Sequence, residues 1–192
     1  MSDLERFCVN HINKSKQYCK NVKKIIPFAK SFASSDKAHY WSIKNALSCR
    51  DIGLKCYDKF LLNCNVCSHE FNIGLNAVNK GKWCAFCSSK KLCNKINCLF
   101  CFNKSFASSN KAKYWSDKNI VKPREVFLNS NTNYLFDCNI CTHEFKIQLS
   151  NITNGRWCNF CSSTQLCNDD CFICFNKSFA SSNKAKYWSD KN

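Results

Sequence analysis

Glycine, arginine and long apolar runs are scarce in this 192-residue chain, and each scarcity excludes something. With four glycines in all, the sequence offers no glycine-rich loop to cradle a phosphate. Arginine, the side chain best suited to bidentate reading of bases, occurs only four times, against a much larger number of lysines. No run approaches the eighteen apolar residues of a membrane span, and residues 1–6 lack the basic start and apolar stretch of a signal peptide. We therefore expect an intracellular protein of a reducing compartment, without membrane contact or a small-molecule substrate.

Cysteine, in contrast, is abundant: there are eighteen, and eight form two frames with the same spacing. Each frame reads C-x2-C, sixteen residues, C-x2-C, which is the spacing of a structural zinc site. Two such pairs complete a tetrahedral coordination sphere and leave no open position for chemistry. Disulfides are the alternative, which the expected reducing compartment disfavours. The predicted Zn²⁺ ligands are Cys64, Cys67, Cys84, Cys87, Cys138, Cys141, Cys158 and Cys161.

Three more cysteines follow each frame, and they could form a second site in each repeat, raising the count from two ions to four. They are Cys93, Cys98 and Cys101, then Cys167, Cys171 and Cys174. No fourth ligand is evident: His39 has lysine at its equivalent positions 113 and 186. Buried free thiols and disulfides are the alternatives. A diverged version of this cluster could involve Cys8, His11 and Cys19 near the N-terminus.

His69 and His143 each follow a ligand pair in the motif Cys-x-His-Glu-Phe. Three interpretations are open: a hairpin histidine beside the metal, an alternative metal ligand, or a nuclease histidine. A metal-dependent nuclease needs carboxylates or further histidines converging on an open metal site. The thirteen acidic residues form no such cluster, so we expect no catalytic residues and no enzymatic activity.

The chain is an internal repeat with a step of 74 and then 73 residues. Residues 102–119 read FNKSFASSNKAKYWSDKN, and residues 175–192 repeat these eighteen letters without a change; residues 28–45 are a close variant. We call these three stretches the KSFASS segments. The favoured phasing gives a diverged cap, 1–45, then repeat 1, 46–119 (core about 56–101), and repeat 2, 120–192 (core about 130–174). Units that start near Phe28 are the alternative.

Each repeat is expected to contain a strand before its first cysteine pair and another after it, because Phe71, Ile73 and Leu75 alternate with polar residues, as do their counterparts in repeat 2. The second pair is expected to begin a helix, over 84–92 and 158–166. Short helices are also predicted over 36–41, 110–115 and 123–127, capped by serine or opened by proline. The fold class is therefore a small, metal-stabilised α+β protein of tandem treble-clef or zinc-ribbon repeats, each a β-hairpin with short helices.

The order KAKYWSDKN, KPREVF, YLFDCNICTHEF and GRWCNFCSS resembles the treble-clef zinc-ribbon repeat family found in large DNA viruses and bacteria. The resemblance covers residues 37–89 and 111–163. It implies zinc binding by both tetracysteine frames and, for a viral protein, location in the host cytoplasm or the virion.

The formal net charge of +16 falls to about +12 when two Zn²⁺ sites with four thiolates each are counted, and this basic excess favours a polyanionic partner. Lys80, Lys82 and Arg156 lie beside a ligand pair at an expected helix N-terminus, where phosphate could bind. We therefore expect a non-enzymatic zinc-binding protein that binds nucleic acid through phosphate contacts. The alternatives are a protein-interaction or structural module of a viral particle or host-directed complex and, less favoured, a nuclease-related fragment.

Overall fold

The computed structural model describes residues 25–189, which form two compact units that divide between Lys91 and Leu92. Each unit is described by itself below. Cys8, His11 and Cys19 lie outside the described residues, so the proposed diverged cluster near the N-terminus stays a prediction. The phasing of the repeat also stays a prediction, since compactness in space and the phase of a duplication are different properties.

A two-stranded antiparallel hairpin forms the centre of each unit, as the alternating pattern predicts. In the first unit β1, Lys59–Asn63, pairs with β2, Glu70–Gly74. In the second unit β3, Asn133–Asp137, pairs with β4, Glu144–Gln148. The first cysteine pair of each frame lies in the turn that joins the two strands, so hairpin formation places these sulfurs at its tip.

The helices differ from those predicted. The turns that carry the second cysteine pairs are not helical, so the helices expected over 84–92 and 158–166 are wrong. One helical hydrogen bond forms in each turn, from Ser88 N to Cys84 O and from Ser162 N to Cys158 O. The next residues, Ser89 and Ser163, have φ of +53° and +59°, which ends the helical turn. The observed helices are α1, Leu75–Asn79; α2, Leu99–Lys104; α3, Leu149–Thr153; and α4, Phe172–Lys177.

Two of these helices begin where an alternating strand was expected to continue. Leu75 and Leu149 are the first residues of α1 and α3, so the strand pattern ends one residue earlier than the sequence suggests. Both leucines are fully buried beneath the hairpin. A buried leucine at this position fits both a continuing strand and the start of a helix. The alternating pattern alone therefore could not distinguish the two.

The KSFASS segments fold into 3-10 turns instead of the single short helix predicted, with three turns in the first segment and two in each of the others. In the second segment the turns are Phe106–Ser108 and Ala112–Tyr114, with a further turn at Pro123–Glu125. The serine cap is present as a tight turn: Ser109 Oγ accepts a hydrogen bond from Lys111 N. At the last turn, Glu125 accepts from Lys122 N, at 2.7 Å.

The core of the second unit lies between this segment and the hairpin. Phe106, Phe136 and Leu149 are fully buried, and Trp115 contacts Phe136 with ring centroids 5.2 Å apart. A cluster this small buries little apolar surface, and structural metal ions typically supply the missing stability in such modules. The molecule is thus the expected small α+β fold with cysteine-rich centres.

Candidate metal centres

The tetracysteine frame of the second unit forms one compact set. Cys138 and Cys141 lie in the turn after β3, and Cys158 and Cys161 in the turn after α3. All four sulfurs lie within 4.8 Å of one another, and Cys138 is 3.5 Å from Cys161 while Cys141 is 3.5 Å from Cys158. The frame of the first unit has the same arrangement, with Cys64–Cys87 and Cys67–Cys84 both at 3.5 Å.

These distances decide between a disulfide and a metal. A disulfide requires sulfurs about 2.0 Å apart. A tetrahedral zinc ion with Zn–S bonds of about 2.3 Å separates its sulfurs by about 3.8 Å, close to the observed spacing. Within the described residues, no disulfide joins the sulfurs of either tetracysteine set. The sets therefore suit Zn²⁺, as the sequence predicts.

Backbone amides prepare one thiol of each frame for ionisation. Burial raises the pKa of Cys138, but hydrogen bonds from the backbone of Cys141 and Ile140 and from the thiols of Cys141 and Cys161 more than offset it, so the pKa falls to about 7. Cys64 has the same causes and also a pKa of about 7. Burial raises the pKa of Cys161 to about 11 and raises that of Cys158 further. Cys138 and Cys64 thus each supply a thiolate near neutrality, whereas thiols with a raised pKa, such as Cys158 and Cys161, need a bound cation to ionise.

A second set in the same unit combines three cysteines with a histidine: Cys167, Cys171, Cys174 and His143. Their ligand atoms also lie within 4.8 Å of one another, and Nε2 of His143 is 3.5 Å from Sγ of Cys174. Tetrahedral zinc with one imidazole would separate nitrogen and sulfur by about 3.6 Å. Three sulfurs and one imidazole are a donor set typical of structural zinc, so this set also fits the ion.

The ring of His143 is positioned by stacking on an aromatic side chain. Its ring stacks on Phe160, with centroids 4.3 Å apart and an interplanar angle of 15°. Its Nδ1 is buried and has no hydrogen-bond partner among the described residues. Because Phe160 lies between Cys158 and Cys161, the second turn of the tetracysteine set also positions the histidine of the other set.

Helix α4 connects the two sets of the second unit. Cys174 lies within it, and at its last residue Lys177 Nζ donates to the carbonyls of Phe160 and Cys161, at 2.7 and 2.9 Å. The ammonium therefore lies on the turn that presents two thiols. A Zn²⁺ ion with four thiolates carries −2, and a cation at this position offsets part of that charge.

The first repeat carries the same residue types at equivalent sequence positions, namely His69, Cys93, Cys98 and Cys101. Within the second unit, Cys93 N donates to Cys101 Sγ, at 3.4 Å, as Cys167 N does to Cys174 Sγ. Arg124 lies beside this loop: its Nη2 donates to the carbonyl of Lys95, at 3.3 Å, and is 4.0 Å from Cys93 Sγ. The guanidinium is a further charge partner for thiolates that the sequence did not reveal.

The histidine was the ligand that motif reading did not assign. The sequence offered three interpretations for His143, and the structure places the ring in the three-cysteine set; His39, the other residue considered, is exposed and lies against Tyr40. A signal was present. In both repeats a three-cysteine cluster lacks a fourth ligand, and in both a histidine at the same position has no assigned role. This coincidence indicates that the histidine is the fourth ligand.

The basic residues singled out in sequence are exposed but differently placed. Lys80 and Lys82 follow the C-terminal end of α1, and Arg156 follows that of α3. Because no helix begins at Cys84 or Cys158, the helix N-terminus expected beside these residues is wrong, and phosphate binding by their side chains stays a prediction. The neighbouring Trp157 is half-buried and packs edge-on against Phe145, with centroids 4.9 Å apart.

Residues 112–164 match the family model described as "Probable Treble clef zinc finger domain". This stretch of the chain is therefore similar to a treble-clef zinc finger of that family. Over 197 aligned residues, which cover 99% of the chain, it is 33% identical to an uncharacterised protein of Acanthamoeba polyphaga mimivirus. The alignment covers 47% of that viral protein, so the chain spans about half the length of this relative. These matches confirm the resemblance drawn from the motifs, and a treble-clef finger is consistent with the metal centres above.

Among residues 25–189, none of the helices has the length and apolar character that crossing a bilayer would require.

Proposed function

We propose that this chain is a non-enzymatic tandem treble-clef protein that holds four Zn²⁺ ions and binds nucleic acid through phosphate contacts. Two ions per repeat are proposed: one on the tetracysteine set and one on the set of three cysteines and a histidine. The tetracysteine sites each carry −2 and the mixed sites −1. Four bound ions therefore lower the formal net charge from +16 to about +10, which is still strongly basic.

The observation that supports nucleic acid most directly is a cationic aromatic cluster that recurs in both units. Lys111 Nζ lies 4.3 Å from the ring centroid of Trp157 and 5.5 Å from that of Tyr114. In the first unit Lys37 takes the same position over Trp83 and Tyr40, at 5.7 and 5.9 Å. Exposed Lys82 and Arg156 directly precede these tryptophans. Cations beside half-buried rings suit a phosphate backbone and the face of an unpaired base.

The proposed absence of catalysis follows from what the site residues contact. Four ligands on each ion leave no open coordination position for a water or a substrate. His143, the residue a nuclease role would need, lies against Cys174 and stacks on Phe160.

Fluorescence anisotropy with labelled single-stranded DNA, duplex DNA and RNA at several salt concentrations tests this proposal. The logarithm of the binding constant should fall linearly with the logarithm of the salt concentration, with a slope of about −0.7 to −0.9 per phosphate contacted. Changing Lys80, Lys82 and Arg156 to glutamine should reduce the slope by about 2–3 and weaken binding to all three ligands.

A matched control replaces exposed Lys55, Lys59 and Lys90 by glutamine, which removes the same charge at other positions. The control should keep most of the slope. If both variants lost affinity and salt dependence equally, binding would depend on net charge alone and not on these three residues. Binding that does not depend on salt, or no binding at all, would refute the proposal.

A further inference from the structure

The third KSFASS segment has the same sequence as the second but a very different exposure. Phe106 is fully buried, whereas its counterpart Phe179 is 50% exposed. Trp115 is partly buried against the core, whereas its counterpart Trp188 is 60% exposed. Because residues 102–119 and 175–192 are identical, composition cannot explain the difference. What differs is the presence of a covering element.

In the second unit that covering element is the hairpin that follows the segment. Phe136 of β3 packs against both Phe106 and Trp115, with ring centroids 5.5 and 5.2 Å away. Trp115 bridges to Phe136 and Ser105 to Phe127 through backbone pairing. Asn119 then both donates to and accepts from the backbone of Leu135, at 2.8 and 3.0 Å.

Charge completes this interface. Ser116 and Lys118 contact Glu144 of β4, at 2.9 and 3.1 Å. The hydrogen bond from Lys118, followed by that from Ser116, lowers the pKa of Glu144. The first unit repeats the arrangement: Trp41 bridges to Leu62, and Ser42 and Lys44 contact Glu70. A KSFASS segment therefore seats a hairpin through one bulky apolar residue, a strand edge and one glutamate.

The third segment already has the seating conformation. Its 3-10 turns, Phe179–Ser181 and Ala185–Tyr187, match those of the second segment, and Lys184 N donates to Ser182 Oγ at the same 3.2 Å as Lys111 N to Ser109 Oγ. Its two rings have centroids 5.3 Å apart at 48°, against 5.5 Å and 43° for Phe106 and Trp115.

A hollow is open at the position that Phe136 fills in the second segment. It has a volume of about 360 Å³ and is lined by Phe179, Ala180, Ala185 and Trp188. The lining is apolar, and its place beside the two rings suits an aromatic or leucine side chain that packs against both. An element that is already ordered binds with a smaller entropic loss than one that must fold on binding.

We propose that the third KSFASS segment is a docking site for the β-hairpin of a further treble-clef repeat. The occupant presents phenylalanine or leucine on its edge strand, as Phe136 and Leu62 do, and a glutamate on the next strand, as Glu144 and Glu70 do. A second copy of this chain is a poorer occupant, because the hairpins of residues 25–189 are both covered by their own segments.

The direct test is a chain lengthened after Asn192 by a second copy of residues 120–192, which supplies such a hairpin through the same Asn–Ile junction that joins residues 119 and 120. All tryptophans are labelled with 5-fluorotryptophan, and the fluorine signal of Trp188 is assigned by its loss in Trp188→Phe. In the original chain this signal should show a large shift between H₂O and D₂O. In the lengthened chain the shift should fall to that of Trp115, and bound zinc should rise by two ions.

A matched control carries Phe136→Lys in the added copy only, and its Trp188 should remain as exposed as in the original chain. A Trp188 signal that stays exposed beside an intact added repeat would overturn the proposal, and so would an added repeat that fails to bind zinc. Two results with the original chain would also overturn it. Loss of exposure with rising protein concentration would assign the site to a second copy, and loss on adding an unstructured oligonucleotide would assign it to nucleic acid.

Discussion

Phe106 and Phe179 have the same neighbours in sequence, but substitution by alanine should destabilise the protein much more at Phe106 than at Phe179. Phe106→Ala removes a fully buried ring that contacts Trp115 and Phe136. Burial of a whole phenylalanine, together with the cavity that its loss leaves, is typically worth about 3–5 kcal/mol. Phe179→Ala removes a ring that is half exposed and leaves no enclosed cavity behind. We therefore expect it to lower the free energy of unfolding by about 1 kcal/mol.

Hydrogen–deuterium exchange measured by mass spectrometry locates the effect. The amides of β3, Asn133–Asp137, exchange through opening of the core that Phe106 completes. Since about 1.4 kcal/mol corresponds to a factor of ten, a cost of about 3–5 kcal/mol means that Phe106→Ala should speed their exchange by roughly a hundredfold to a few thousandfold. Phe179→Ala should leave their exchange within about tenfold of the parent rate. We claim that the second KSFASS segment belongs to this core and that the third does not. If both variants accelerated amide exchange to a similar extent, that claim would be refuted.

Three further predictions concern the metal centres and their turns. His143→Ala should lower bound zinc by one ion per chain, measured by native mass spectrometry, while His143→Cys should restore it; an unchanged count in the alanine variant would remove the histidine from the ligand set. Because Cys138 has a pKa of about 7 while those of Cys158 and Cys161 are raised, zinc should displace about two to three protons from these three thiols alone at pH 7, so the whole chain should release at least that many, and zinc retention should fall steeply as the pH drops below neutrality; calorimetry in buffers of different ionisation enthalpy gives the number per chain, and release of less than one proton would contradict the assignment. Gly155 has φ +83°, so Gly155→Ala should cost about 1–2 kcal/mol in urea unfolding, whereas Gly53→Ala, at an open position without that strain, should be close to neutral; equal effects would refute the backbone explanation.

Local sequence patterns were enough to predict the tetracysteine sets and the hairpins that carry them. The ligands of such a set must converge on one point, so C-x2-C pairs fix local turns almost independently of the rest of the sequence. The hairpins follow from the alternating apolar residues on either side of the first pair. These features are local, which is why the sequence contains them.

The remaining features depend on contacts between distant residues. His143 lies 31 residues from Cys174, and no spacing rule connects a histidine after one pair to a cluster beyond the next. The helices expected after Cys84 and Cys158 do not form, because residues such as Ser163 take a positive φ that ends the turn. The exposure of Phe179 could not be predicted, because its sequence is that of buried Phe106 and only the covering hairpin differs.

Metal content tests most directly whether thiolate centres, and not a large apolar core, hold this fold together. Elemental analysis of reduced, freshly purified protein should give four zinc ions per chain, and X-ray absorption should give an average of about 3.5 sulfur and 0.5 nitrogen ligands per ion. Complete removal of zinc by a chelator should then abolish the ordered structure seen by circular dichroism, since structural zinc contributes about 10–16 kcal/mol in small fingers. A zinc-free protein with an unchanged spectrum would contradict this explanation of the fold.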